Sequence, residues 1–299
     1  MPDLPTRRMG ATEMRPRALA LGAAWLNRQP EGDVVRAIRR ALELGIDYID
    51  TYPGHNEQYW GEALSGVPRS DYYLQAKVGT HPERRKDFSA ETARWSVTNS
   101  LRDLRVDYLD AVLIHDPDDM DDVLDPGRAF EELLKMREEG LVNHLGLGGR
   151  QHDFHRRIIE TGEAGVILTY LDYTLLDQSV ATTTFPLAAE RDVGLILASP
   201  LGMGLLTGVE PDPETDRRRH GGRESRAHDM WRWCRDRGTN IRYLAMQFCL
   251  AAPVGGIVMF GPADTRQVEE GYDAATAVIP ADLWGGFRAE FGVGVDTTG

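Results

Sequence analysis

The sequence predicts an α/β fold, a (β/α)8 barrel, and three observations carry that expectation. Short β-rich runs alternate with amphipathic helices about eight times along the 299 residues. The runs are near-continuous in apolar residues, as strands of a parallel sheet covered on both faces must be. The competing doubly wound sheet calls for a Gly-rich GxGxxG turn straight after its first strand, and the residues after Gly22 contain none. Eight such units close as a barrel, so the whole of 1–299 reads as one domain.

The first strand is Ala18 to Gly22, followed by a helix from Asp33 to Leu44. Asp33 suits a helix cap, Val34, Val35, Ile38, Ala41 and Leu42 share one face, and Gly45 stands where a left-handed C′ residue is wanted. Tyr48 to Thr51 and Tyr72 to Val78 are strands two and three, with helices near Asn56 to Ser65 and Ser89 to Leu104, the latter capped by Ser89. Strand four, Leu109 to His115, leads to a helix that begins at Asp125-Pro126 and stops at Gly140, with Pro at the first helical position. Leu145 to Gly149, Val166 to Asp172, Gly194 to Pro200 and Gly256 to Gly261 are strands five to eight. Their helices lie near 152–161, 182–191, 239–252 and 264–277. Residues 207–228, rich in Pro, Gly and charge, read as a lid loop after strand seven, and 280–292 as an extra C-terminal helix.

Composition narrows the function. The chain carries 47 acidic against 34 basic residues, a formal charge of −13, which argues against nucleic acid or an anionic membrane as partner. A small-molecule substrate fits better. Cys234 and Cys249 lack CxxC spacing and a nearby His cluster, and read as buried thiols in a reducing cytoplasm. No run approaches the ~18 apolar residues of a membrane span, and no metal site is indicated.

In a barrel of this kind chemistry gathers where strands end and βα loops begin. Asp50 ends strand two, Lys77 strand three and His115 strand four, which brings an acid, a cation and an imidazole toward one point. The motifs around them are Gly45 to Thr51, Val67 to Tyr72 leading into Lys77, and Val106 to Asp110 leading into Ile114-His115-Asp116. Further along come Leu168 to Tyr170, Tyr173 to Leu176, Ala198 to Thr207, and Gly261 with Gln267 to Glu270. In this order, over roughly residues 8–280, the chain resembles the aldo-keto reductase superfamily, and in particular its L-galactose, L-fucose and D-threo-aldose dehydrogenase branch.

The resemblance implies hydride transfer between NAD or NADP and a sugar, polyol or related carbonyl. It carries the family's Asp, Lys and His onto Asp50, Lys77 and His115. The family's Tyr lies five residues after the Asp in a D-T-x-x-x-Y-G pattern, and that position holds His55. A phenol titrates near ~10 and an imidazole near ~6.5, and Lys77 beside His55 would keep it neutral, a base suited to alcohol oxidation. The same set would serve a non-redox lyase, dehydratase or epimerase in which His55 takes a proton α to a carbonyl. Alternatively His55 points to solvent and Tyr52 or Tyr59 supplies the phenol. A third reading is a catalytically weak nucleotide-sensing or interaction protein.

For the cofactor, the resemblance places backbone amides of Leu201, Gly202, Met203 and Gly204, with the Ser199 hydroxyl, on the pyrophosphate. Gly261 and Ala263 enter the last barrel helix, capped by Asp264 with Gln267 at N3, and Arg266 and Glu270 lie toward the adenosine. NAD is preferred weakly, since no Lys stands where a 2′-phosphate would be gripped. Gly148-Gly149 lacks a side-chain donor to the nicotinamide carboxamide and leaves space for a larger ligand. Arg217, Arg218, Arg219 and Arg223 fall in the lid, and Trp25, Trp231 and Trp233 are candidates for stacking on a sugar.

Overall fold

The computed structural model describes residues 3–212 and 222–297. Eight strands close into a parallel barrel in chain order: β1 Leu19–Gly22, β2 Tyr48–Asp50, β3 Tyr73–Val78, β4 Leu109–His115, β5 Val142–Gly148, β6 Ala164–Tyr170, β7 Gly194–Ala198 and β8 Gly256–Phe260. Closure is made by β1 on β8, with Ala20 opposite Met259. The helices described between and after them are α1 Glu31–Glu43, α2 Glu57–Leu64, α3 Ala90–Leu104, α4 Asp121–Leu124, α5 Ala129–Glu138, α6 His152–Ile159, α7 Thr184–Glu190, α8 Glu224–Arg235, α9 Ile241–Leu250, α10 Thr265–Thr276 and α11 Ala281–Phe291. None is long and apolar enough to cross a membrane.

Two apolar layers follow from the strand period of two. Leu19, Leu21, Ile49, Leu74, Ala76, Val112 and Ile114 face the helices, while Ala20, Tyr48, Leu113, Val166, Leu168, Ile196, Ile257 and Met259 fill the barrel. The same alternation decides the site. Asp50 shares the parity of Tyr48, Gln75 and Lys77 that of Tyr73, and His115 that of Leu113, so the polar groups point inward at the strands' C-terminal ends.

Several boundaries differ from the sequence expectation. Helix α1 starts two residues before Asp33, with Pro30 at its N-cap; Asp33 instead lies in the first turn and pairs with Arg36. Pro126 does not open a helix. Gly127 adopts φ +78°, Arg128 makes a β-bridge to Ser89, and α5 begins only at Ala129, whose amide donates to the Phe88 carbonyl. β5 begins at Val142, because the polar Asn143 and His144 disguise its first turns of pleat. The expected lid is shortened by α8, which starts at Glu224 and buries Ala227, Met230, Trp233 and Cys234. Ser89 does cap α3, accepting from the Thr92 amide at 3.3 Å, and Gly45 is left-handed at φ +79°.

The barrel's other end is closed by a segment that sequence reading passed over. Residues 6–17 fold back through bridges between Thr6 and Arg17 and between Gly10 and Val193, and they insert Met9 and Met14 into the interior layer. Gly10 is required there: at φ +54° a Cβ would lie 2.3 Å from the Asp192 carbonyl oxygen.

Candidate active site

At the C-terminal ends of β2, β3 and β4 the inward side chains form one buried network. The Lys77 ammonium, fully buried, donates to Asp50 Oδ1 and to the Thr51 carbonyl at 3.0 Å. Gln75 Nε2 donates to the same Asp50 oxygen at 2.6 Å, and Gln75 Oε1 accepts from the Tyr48 hydroxyl at 2.8 Å. Burial raises the pKa of Asp50 and depresses that of Lys77, and each shift is held back by the partner's charge. An ion pair so placed has no water to fall back on, which makes each partner's charge depend on the other.

His115 lies one strand over. Burial, then the charges of Lys77 and Lys86, push its pKa down to about 3, so the imidazole is neutral. Tyr52, in the β2–α2 connection, spans the two. Lys77 Nζ sits 3.8 Å from its ring centroid, and its hydroxyl is 3.5 Å from His115 Nε2. Burial, with the carboxylates of Asp50 and Asp116, lifts the Tyr52 phenol well above its ordinary range.

His55 lies elsewhere. It is exposed, its ring meets Tyr52 edge-on with 6.3 Å between centroids, and its side chain makes no hydrogen bond among the described residues. Tyr59 is carried by α2 into the layer between strands and helices. A shorter connection was legible in the sequence. The D-T-x-x-x-Y-G spacing puts Gly six residues after the Asp, whereas Gly54 follows Asp50 by four. Counted back from that glycine the tyrosine position is Pro53, so spacing alone does not pick out Tyr52, the residue before it.

Residues that sequence reading did not single out complete the surroundings. Glu57 is buried behind Thr51, whose hydroxyl lies 2.7 Å from it, and accepts from Ser100 at 2.8 Å; burial pushes its pKa up to about 7. The Tyr170 hydroxyl at the end of β6 donates to both Asp116 oxygens at 3.1 Å, and Asp116 Oδ2 is 3.3 Å from His115 Nδ1. Gly148 does not leave room for a larger ligand: a Cβ there would stand 3.1 Å from His115 Cδ2, so the imidazole takes that space.

The expected cofactor residues form a second group beyond β7 and β8. Ser199, Gly202, Met203 and Gly204 all have positive φ, at 61°, 59°, 56° and 110°, which coils the chain into a tight turn closed by Gly202 N to Ser199 O at 3.0 Å. Leu201 accepts in that turn from the Gly204 and Leu206 amides. A Cβ on Gly204 would meet nothing within 4 Å, so the turn presents an open backbone edge. Gly261 lies below Trp25, where a Cβ would be 3.2 Å from the indole. Asp264 caps α10 by accepting from Gln267 N at 2.7 Å, and Gln267 reaches back to the Ala263 amide at 2.9 Å. Arg266 donates to Glu270 at 2.5 Å, and Arg242, which sequence reading missed, donates to the other Glu270 oxygen. Among the described residues, Arg242 Nε is buried without a partner.

Arg223 pairs with Asp177, while Arg217, Arg218 and Arg219 lie outside the described residues. Trp233 is core, edge-on to Phe287, and Trp231 donates to the Gly208 carbonyl at 3.0 Å, so neither stands free at the site. Both cysteines are buried, and burial pushes the Cys234 thiol up to about 12.

A closed parallel barrel with its titratable groups gathered at the strands' C-terminal ends is the architecture of a barrel enzyme. The sequence profile of the Aldo/keto reductase family matches residues 18–288, and the chain belongs to that family. It is 32% identical over 294 residues to the L-galactose dehydrogenase of Arabidopsis thaliana, covering 92% of this chain and 89% of that protein. It is 29% identical over 281 residues to the D-threo-aldose 1-dehydrogenase of a Pseudomonas species, covering 83% and 84%. Among solved structures, an aldo-keto reductase from Bacillus halodurans in its holo form superposes with a TM-score of 0.79 at 25% identity over 99% of both chains.

Proposed function

We propose that this protein is an NAD(P)-dependent oxidoreductase of a sugar or polyol, working through Asp50, Tyr52, Lys77 and His115. The observation that carries the reading is the placement of the Tyr52 hydroxyl within 3.5 Å of a neutral His115 while Lys77, tied to Asp50, lies over its ring. The dehydrogenase relatives support the redox reading; no observation favours elimination or epimerisation.

The residues beyond β7 and β8 fit a dinucleotide. The open backbone edge at Gly204 suits a pyrophosphate, and the unpartnered Arg242 Nε is a donor awaiting an oxygen. Glu270 already holds Arg242 and Arg266, which leaves a carboxylate where a 2′-phosphate would need bare cations, and this supports NAD over NADP. When bound, the nicotinamide supplies the hydride acceptor. The protein's own part is to orient the substrate alcohol on Tyr52 and to move its hydroxyl proton. Lys77 opposes negative charge on the phenol oxygen, and Asp50 keeps Lys77 fixed in place.

The test is fluorescence quenching by NADH and NADPH, followed by NAD reduction on a panel of aldoses including L-galactose. Tight NADH binding with aldose-dependent reduction is expected; failure to bind either dinucleotide would sink the proposal.

A further inference from the structure

The strand period of two sends alternate residues inward, and at the end of β4 it breaks. His115 points inward by parity, and Asp116, the next residue, takes φ +45°. That turn brings the Asp116 carboxylate over the same barrel mouth. Its Oδ2 stands 3.3 Å from His115 Nδ1, and both oxygens meet the Tyr170 hydroxyl of β6 at 3.1 Å. The backbone is clamped on either side: the Asp116 amide donates to the Gly148 carbonyl at 2.7 Å, and its carbonyl accepts from Lys86. A left-handed residue other than glycine, held in this way at an enzyme's reacting end, is a feature that functional sites retain.

The carboxylate is short of donors. Two oxygens offer about four acceptor positions, and Tyr170 brings one proton to them. Lys86 directs its ammonium to the Asp116 carbonyl and to Asp118 at 2.9 Å. Arg150 lies over the Tyr170 ring, 5.8 Å from its centroid. Among the described residues no lysine or arginine comes within ion-pair distance of the Asp116 oxygens; the imidazole of His115, neutral, is the group that does. The side chain is 30% exposed, and Gly149 keeps the flank of Oδ1 clear, where a Cβ would stand 3.4 Å away.

We propose that Asp116 determines specificity at this site: its carboxylate accepts from a free hydroxyl on the carbon next to the one oxidised, so the substrate is a compound with adjacent hydroxyls. The proposal rests on the redox reading above for placing the reacting hydroxyl on Tyr52. Tyr52 meets the Nε2 edge of His115 and Asp116 stands at the Nδ1 edge. The phenol and the carboxylate are thus one imidazole ring apart, a span that two neighbouring hydroxyls of a sugar cover with a hydrogen bond at each end. An ionised carboxylate accepts and does not donate, which selects O–H groups over deoxy carbons and ethers.

The experiment measures turnover of L-galactose, L-fucose and D-arabinose, each beside its 2-deoxy analogue, on the full-length wild type and on Asp116→Asn. An aldose is oxidised at its reducing carbon, so the analogue lacks the hydroxyl in question. Asn adopts the left-handed φ as Asp does, accepts from Tyr170 through its carbonyl oxygen, and puts an NH2 donor in place of the second acceptor. For at least one sugar the wild type is expected to favour the parent over the analogue by about 10–100-fold in kcat/KM, the range of a hydrogen bond to a charged group. In Asp116→Asn that ratio is expected to approach unity, while quenching by NADH and the urea midpoint stay at wild-type values. Titration calorimetry of the same sugars, with NADH present, repeats the comparison without chemistry. A wild type that does not distinguish any pair, or a ratio that survives in Asp116→Asn, would overturn the proposal. So would a variant that loses parent and analogue by the same factor, as it would if Asp116 only held His115, and so would failure of all three sugars to bind. If the calorimetric preference is present and depends on Asp116, yet no sugar reduces NAD, the redox reading falls and the assignment of Asp116 stands.

Discussion

Replacing Tyr52 by Phe removes one oxygen and leaves everything else that the ring does. The cation 3.8 Å from the ring centroid and the edge contact with His115, at 5.5 Å between centroids, do not depend on the hydroxyl. The hydrogen bond that is lost is long, at 3.5 Å, so stability should change by at most about 1 kcal/mol, a melting shift of about 2–4 °C. The catalytic loss is of another order. A positioned acid or base contributes about 10²–10⁴ in rate, or about 2.7–5.4 kcal/mol of barrier at 1.36 kcal/mol per decade. Tyr52→Phe is therefore expected to keep the fold and NADH affinity while kcat for alcohol oxidation drops at least about 100-fold. His55→Ala, which removes an exposed ring, is expected to cost less than about threefold, the range of ordinary surface changes. Steady-state NAD reduction on the same substrate compares them directly. If Tyr52→Phe stays near wild type while His55→Ala loses two decades, the base is the imidazole at position 55 and the reasoning from Tyr52 fails.

Three further outcomes are expected. Lys77→Met leaves Asp50 ionisable and buried without its partner, so about 3–5 kcal/mol of stability should be lost along with activity, read as a lower urea midpoint; a midpoint unchanged from wild type would contradict the buried pair. Glu270→Gln frees Arg242 and Arg266 from one full negative charge, and NADPH affinity should rise relative to NADH by about tenfold, or about 1.4 kcal/mol; an unchanged ratio would place the adenosine elsewhere. Glu57 has its pKa raised from an ordinary 4.5 to about 7 in the folded chain, so the unfolded chain releases this proton first. Its contribution is full below pH 4.5 and is lost as pH rises to 7, a decline of about 3 kcal/mol at 1.36 kcal/mol per unit. Glu57→Gln should flatten that slope in urea unfolding at pH 5 and pH 7.5, and a slope that survives the substitution belongs to another group.

Much of this architecture can be read from the residues because parallel strands are covered on both faces and so announce themselves as apolar runs. The polar strand ends Asp50, Lys77 and His115 interrupt those runs, and the structure does bring them together. What stayed hidden depended on loop geometry. The connection from Asp50 to Gly54 is too short for the family's spacing, and only its folded path brings Tyr52, rather than the counted position 55, against His115. Gln75 and Arg242 act across strands or helices far apart in sequence, through contacts that no local pattern encodes. Pro126 satisfied a helix-start rule that the bridge between Arg128 and Ser89 overrides, and α8 was masked by the charged run preceding it.

The plug formed by residues 6–17 also sets an order of events during synthesis. Met9 and Met14 belong among side chains of β6, β7 and β8, and Gly10 bridges to Val193. A nascent chain emerging from the ribosome therefore carries two exposed methionines until β8, Gly256–Phe260 of the 299 residues, has been made. β1 likewise waits for β8 as its second neighbour. Such long sequence separations slow barrel closure and lengthen the interval in which apolar surface is open to other chains. Shortening Met9 and Met14 to Ala should accordingly lower soluble yield during expression, although neither side chain is near the catalytic end of the barrel.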